Sequence, residues 1–467
     1  MLEGGRDGGG GRVKSLRAVG RGYIYIYIYR ALAILSFLSP LPRRIPPTHP
    51  PTHSQHTHTH THTHPSIHPS TRTMADSIPS EMRALTVPFH ASPDRLQVST
   101  LPVPSILLPT DVLIRVHAAS INPIDVKKAA GMTRMLETIR FPFVLGQDVS
   151  GVIVRIGTEA GDFQVGDEVY TPLRKGGSFA VPLPSVMMAL VMVHMRGLML
   201  SDFFFLRFPA AAADYVVTSS KHLCRKPVTI SHSLAAALPT VATTALQALT
   251  RAAARQPLGD LTGKTVFIPG ALSGTGHIAL QLAKRVFNAG HVITTASPGK
   301  IPRIAELLGE GTVDQIIDYT SQDVHEKIEK GSVDFVFDTM GGAQGYFSLV
   351  KPETGVVISL ATVPSGEQAA AVFPETPWAI KIVLNLIDAW YQWRARRWGV
   401  GMYEFFFPNT ETYAKDLEKV AWWVGEGKLR PVIGRTARLE DLEGVIAGCT
   451  EVKSGKGGTG KFVIELV

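Results

Sequence analysis

The chain has 467 residues, 45% hydrophobic and 18% charged, with a formal net charge of +8 at pH 7. That length and apolar content suffice for a sizeable core in two domains. Eight arginines and Lys14 against Glu3 and Asp7 put +7 of the charge in residues 1–73. The remainder is near neutral and lacks the basic stripe a nucleic-acid backbone requires, so nucleic acid is not expected as a partner.

Residues 1–73 contain the Tyr-Ile alternation Tyr23–Tyr29 and a His-Thr alternation through His56–His64. Neither can build a packed core, and a disordered or non-native extension is expected. Translated TA and CA dinucleotide repeats give these same alternations, which puts the expected start at Met74. A membrane anchor over Tyr23–Leu41 and a His-rich metal tract are the weaker alternatives, the first because Arg30 interrupts the apolar run.

From Met82 short β-type runs separated by Pro, Gly and Asp follow, at Met82–Val87, Val112–Ala118, Val152–Ile156, Glu168–Tyr170 and Asp214–Val217. They predict a β-rich domain over 82–225. Residues 176–209 interrupt it with an apolar stretch, Val186–Phe205, nearly long enough to span a bilayer. His194, Arg196 and Asp202 make a span costly, and the segment reads as an insertion. Cys224 and Cys449 are far apart, without disulfide or metal spacing, which fits a reducing compartment and a cytoplasmic location.

Residues 226–424 alternate helices with strands, the signature of a parallel sheet. The pivotal stretch is Lys264–Lys284, a β-branched and aromatic run at Thr265–Ile268, a turn holding Gly270, Ser273, Gly274, Thr275 and Gly276, then helical apolar spacing from Ile278. Glycines at such a turn let the backbone approach a pyrophosphate, whose charge meets free N–H groups at the helix start. The strand His291–Thr295 ends in Ala296-Ser297-Pro-Gly-Lys300-Ile-Pro-Arg303, with no acid to bind a ribose hydroxyl; a hydroxyl and two cations stand where a 2′-phosphate needs them, and NADPH is the expected cofactor. Trp378–Trp398 is apolar, aromatic and basic; closing a domain interface is the favoured reading, membrane docking the lesser one.

Several motifs recur in a family order: Ala119–Lys128 with Asn122-Pro, Leu145–Gly151, Gly161–Val169, Leu238–Leu249, the glycine turn, Ile317-Asp-Tyr319, Val333–Gly342 and Gly460-Lys-Phe-Val463. From about Met82 to Val467, outside 176–209, the chain resembles the medium-chain dehydrogenase/reductase superfamily, in its zinc-free quinone oxidoreductase-like and enoyl reductase-like branch. The resemblance implies an α/β fold: a Rossmann doubly wound parallel-sheet domain (226–424) beside a GroES-like β-rich domain to which 425–467 returns, the nicotinamide lying between them. Ser273 departs from the family's usual glycine. Catalytic zinc in alcohol-dehydrogenase relatives is held by a cysteine and a histidine at positions matching Asn122 and Gln147, and neutral amides are poor zinc ligands. No metal is therefore expected.

What this implies is NADPH-dependent, zinc-independent hydride delivery to a small-molecule quinone or enone, an α,β-unsaturated carbonyl. By resemblance, Asn122 and Thr244 lie near the nicotinamide ribose, with Asn122 orienting, and Tyr319 lies at the adenosine end. Tyr170 and Lys127 are within reach as proton donors, as is water, and none is assigned. The alternative is a non-catalytic, membrane- or partner-associated NADPH-binding protein of the same fold. A homodimer or monomer is expected.

Overall fold

A computed structural model describes residues 78–173, 211–256, 259–455 and 457–467. The extension 1–73 and the segment 176–209 lie outside the described residues. The strands are, in order, Glu81–Val87 (β1), Gln97–Pro102 (β2), Asp111–Ile121 (β3), Phe143–Val144 (β4), Asp148–Ile156 (β5), Glu168–Pro172 (β6), Tyr215–Ser219 (β7) and Cys224–Arg225 (β8). There follow Thr265–Ile268 (β9), His291–Ala296 (β10), Gln315–Asp318 (β11), Phe335–Asp338 (β12), Val356–Ser359 (β13), Met402–Phe405 (β14), Ile433–Arg438 (β15) and Lys461–Glu465 (β16).

The middle of the chain forms a six-stranded sheet in the order β11-β10-β9-β12-β13-β14, every pairing parallel. Its inner strands β12 and β13 are buried along their whole length, as strands covered on both faces must be. The chain leaves β9 toward β10 on one side and resumes with β12 on the other. The C-terminal ends of β9 and β12 therefore flank the crevice where such sheets bind ligands.

The first β runs build two further sheets, β2-β1-β4 and the larger β15-β16-β3-β5-β6-β8 with β7 also on β3. The last strand pairs antiparallel with β3, Phe462 opposite Ile121, so the returning chain joins the sheet of an early strand. β2, β14 and β15 escape the sequence reading. β2 and β15 are largely exposed and half polar, and β14 is four residues inside an aromatic run. Pairing partners rather than periodicity make them strands.

The helix Trp378–Arg397 differs from the interface-closing role expected of it. Of its buried residues Ile380, Leu384, Tyr391 and Ala395, the last two share a core with the six-stranded sheet, where Tyr391 stacks on Tyr403 of β14 with ring centroids 5.6 Å apart. The opposite face is open. Among the described residues, no helix is long and apolar enough to cross a membrane.

Candidate cofactor site

The glycine turn follows β9 and starts the helix Gly276–Arg285. Gly270 has φ +80°, a left-handed conformation that favours glycine, and its N–H donates to Thr295 Oγ1 at the end of β10 (3.0 Å). Gly276 answers a different need: a Cβ there would lie 2.3 Å from the Gly270 carbonyl oxygen and 2.6 Å from Ser273 Oγ. Gly274 answers neither. It has no positive φ, and a Cβ on it would meet only Lys461 Cδ at 3.6 Å, Gly460 O at 3.8 Å and Val241 Cγ1 at 3.9 Å.

Protein packing thus tolerates a side chain at Gly274, and its absence leaves room for something outside the protein. The N–H groups of Gly274 and Thr275 find no acceptor among the described residues, and both residues are partly exposed. Two unspent donors at a helix start fit a pyrophosphate. Ser273 does not spoil the turn. Its Oγ accepts from the Gly276 N–H (3.0 Å), taking one donor that a family glycine would leave open.

Beneath the turn lies a buried polar cluster. Asp148, fully buried at the start of β5, accepts through Oδ1 from the Thr240 backbone N–H (3.0 Å) and Oγ1 (2.6 Å). Through Oδ2 it accepts from Ser120 Oγ (3.2 Å), Asn122 Nδ2 (2.9 Å) and the Lys461 ammonium (3.4 Å). Lys461 also donates to Asn122 Oδ1 (2.5 Å) and the Ile121 carbonyl (3.4 Å). Both atoms of the Asn122 amide are thereby spent inside the protein. Asn122 holds Lys461, whose Cδ flanks Gly274, and it is a positioning residue rather than one that presents a free amide. Sequence reasoning missed Asp148 and Lys461 although both sit within quoted motifs, because a buried ion pair leaves no mark on local periodicity.

His277 ties the helix to the returning chain. Its Nδ1–H donates to the Ser273 carbonyl (2.9 Å), and its Nε2 accepts from the Val432 N–H (3.1 Å), so the imidazole is the neutral tautomer. Burial pushes its pKa down to about 4, with the Lys461 charge helping and the Ser273 bond opposing. Asp125, buried in the first turn of the helix Pro123–Ala129, moves the other way: burial raises it to about 7, against the Asn122 N–H it accepts at 2.8 Å.

These two groups have opposite signs in the pH dependence of stability. The unfolded histidine takes a proton near pH 6.5 and the folded one only near 4, so its contribution is complete above about 6.5 and falls by about 3 kcal/mol as pH drops toward 4. Asp125 binds its proton in the folded state first, so its contribution grows as pH falls from about 7 toward 3.9. Each is read as a difference between wild type and variant in urea unfolding. The stability margin over His277→Gln should shrink on acidification from pH 7 to 4, and the margin over Asp125→Asn should widen. The same direction for both would refute the assignment.

Three of the remaining expected residues follow β10 and β11 of the same sheet. Ser297 follows β10, half-buried, and Tyr319 follows β11, exposed. Lys300 is half-buried, and its ammonium donates to the Gly458 carbonyl in the loop before β16; Arg303 is exposed. Thr244 is buried on the helix Pro239–Ala253, three residues from Val241 and so on the face toward Gly274; its hydroxyl finds no partner among the described residues. After β12, Asp338 takes the N–H groups of Met340, Gly341, Gly342 and Ala343 at 2.9–3.1 Å, shaping the crevice's other lip. Tyr170 is no proton donor: it is fully buried and its hydroxyl donates to the Leu417 carbonyl (2.7 Å). Lys127 lies on the exposed side of its helix.

Residues 108–228 match the family model described as the alcohol dehydrogenase GroES-like domain, and residues 311–464 that described as zinc-binding dehydrogenase. The chain is 32% identical over 288 residues to 2-methylene-furan-3-one reductase of Solanum lycopersicum, covering 62% of this chain and 64% of that one. It is 31% identical over 293 residues to the chloroplastic NADPH-dependent alkenal/one oxidoreductase of Arabidopsis thaliana, covering 62% and 66%. The chain thus spans just under two thirds of the length of these relatives. The solved quinone oxidoreductase of Coxiella burnetii is 26% identical with a TM-score of 0.60, covering 83% of this chain and 100% of that one. Asn122 Oδ1 faces the Lys461 ammonium, and among the described residues no three His, Cys, Asp or Glu side chains group as metal ligands.

Proposed function

We propose, on the premise that this chain belongs to the medium-chain dehydrogenase/reductase superfamily, that it is an NADPH-dependent oxidoreductase delivering hydride to a quinone or an α,β-unsaturated carbonyl without zinc. The observation that carries the reading is the turn at the β9/β12 crevice, where Gly274 and Thr275 keep two N–H groups unspent beside a glycine the fold does not need. The names of the two plant relatives, a furanone reductase and an alkenal/one oxidoreductase, support the substrate class.

NADPH, when bound, supplies the hydride, and the protein supplies orientation and charge. The turn would hold the pyrophosphate. Ser297, Lys300 and Arg303 would receive the 2′-phosphate and Tyr319 would flank the adenine. The Thr244 hydroxyl is the donor left for the nicotinamide end, and Asn122 with Asp148 keeps Lys461 and β16 seated under the turn. With no free acid assigned nearby, the reduced oxygen takes its proton from water.

NADPH oxidation by the full chain with small quinones and enones tests the proposal. Clear NADPH binding without turnover would favour the non-catalytic alternative. Lys300→Met should weaken NADPH about tenfold and leave NADH unchanged, the worth of one charge-assisted hydrogen bond. Equal binding of NADH and NADPH by the wild type would overturn the cofactor preference.

A further inference from the structure

We infer that the exposed face of the helix Trp378–Arg397 docks the protein on an anionic membrane surface. The inference is independent of the redox reading. Trp378, Ile382, Leu386, Trp390 and Trp393 recur at helical spacing on one side, at 75%, 51%, 67%, 43% and 52% exposure. Singly exposed apolar residues are ordinary; five along one helix face form a patch that asks for a partner. Four of the six tryptophans in the chain lie in this helix or, as Trp398, directly after it.

The charges around the patch select the partner. Arg394 stacks over Trp390 and Arg397 over Trp393, each 5.4 Å from the ring centroid, so cations sit at the margin of an aromatic surface. The last turn carries Arg394, Arg396 and Arg397, and the first turn has no acid. The helix's acid, Asp388, is two residues from both Leu386 and Trp390 and so turned away from the face.

A second copy of the chain is a poor fit for this pattern. An antiparallel two-fold pair would set the arginine turn against an N-terminal turn that has Lys381 and a positive dipole end, and a parallel pair would set arginine against arginine. A bilayer rich in anionic lipid complements both parts. Tryptophan rings settle at the headgroup level, leucine and isoleucine reach the acyl boundary, and the arginines meet phosphate and carboxylate headgroups. The helix would lie in the surface plane, its Tyr391 and Ala395 still packed on the sheet.

The test uses the full chain with vesicles of phosphatidylcholine alone or with one third phosphatidylserine, and brominated lipid as a quencher of tryptophan fluorescence. The basic segment 1–73 holds no tryptophan, and Trp422 on the helix Tyr413–Gly425 is also exposed, so the variants in Trp378–Arg397, rather than quenching alone, assign the contact. The expected result is quenching by the anionic vesicles, binding at least about tenfold stronger than to neutral ones, and weakening by salt. Leu386→Asp with Trp393→Ala should abolish quenching, and Arg396→Glu with Arg397→Glu should reduce binding about tenfold without touching the core. Absence of quenching, or quenching unchanged in both variants, overturns the proposal. So does a dimer that the same substitutions dissociate without any lipid quenching, which would make a second copy the occupant.

Discussion

Asp148→Asn is expected to lower the free energy of unfolding by about 3–5 kcal/mol, measured by urea denaturation. The substitution keeps the shape and removes the charge. Lys461, only 4% exposed, would then stand buried with Asn122 Oδ1 and the Ile121 carbonyl but no counter-ion. The new amide also has one acceptor where the carboxylate met five donors, so Thr240, Ser120, Asn122 and Lys461 compete for it. Breaking a buried pair from one side is the expensive case. Removing both charges in Asp148→Asn with Lys461→Met should recover part of the loss, because the uncompensated ammonium is gone. A loss below about 1 kcal/mol for the single variant would mean that the cluster is wetter than its burial implies.

The second large effect separates two glycines of one turn. In Gly276→Ala the new Cβ starts 2.3 Å from the Gly270 carbonyl, and ordinary contact needs about 1 Å more, which only backbone movement can supply. The expected cost is about 1–3 kcal/mol of stability, and a displacement of that size in the cofactor cradle should lower turnover with NADPH about 100-fold. Gly274→Ala meets nothing closer than 3.6 Å, so stability should stay within about 0.5 kcal/mol. NADPH binding should nevertheless weaken about tenfold, since the methyl group occupies the approach of the pyrophosphate. Unchanged NADPH affinity in Gly274→Ala would remove the main support for the cofactor site.

Much of the cofactor half was legible because its strands are short, continuous apolar runs and its helices keep their own period. Thr265–Ile268, His291–Thr295 and the Gly270–Gly276 turn stand in the structure where periodicity put them. The weaker strands were not legible. β15, Ile433–Arg438, is mostly exposed and holds two arginines, and it is a strand because β16 lies parallel beside it. The long aromatic helix carries apolar residues on both faces, so composition could not tell which side the body would cover.

What the sequence determined by itself is the alternation of elements and the turn glycines, since backbone conformation belongs to single residues and short spacings. The tertiary structure alone decided which glycine the fold needs and which it leaves free. It also decided that Asn122 serves Asp148 and Lys461, residues 26 and 339 positions away, and that five apolar side chains of one helix face outward. Those outcomes depend on which surfaces meet once distant segments pack, and no local pattern encodes that.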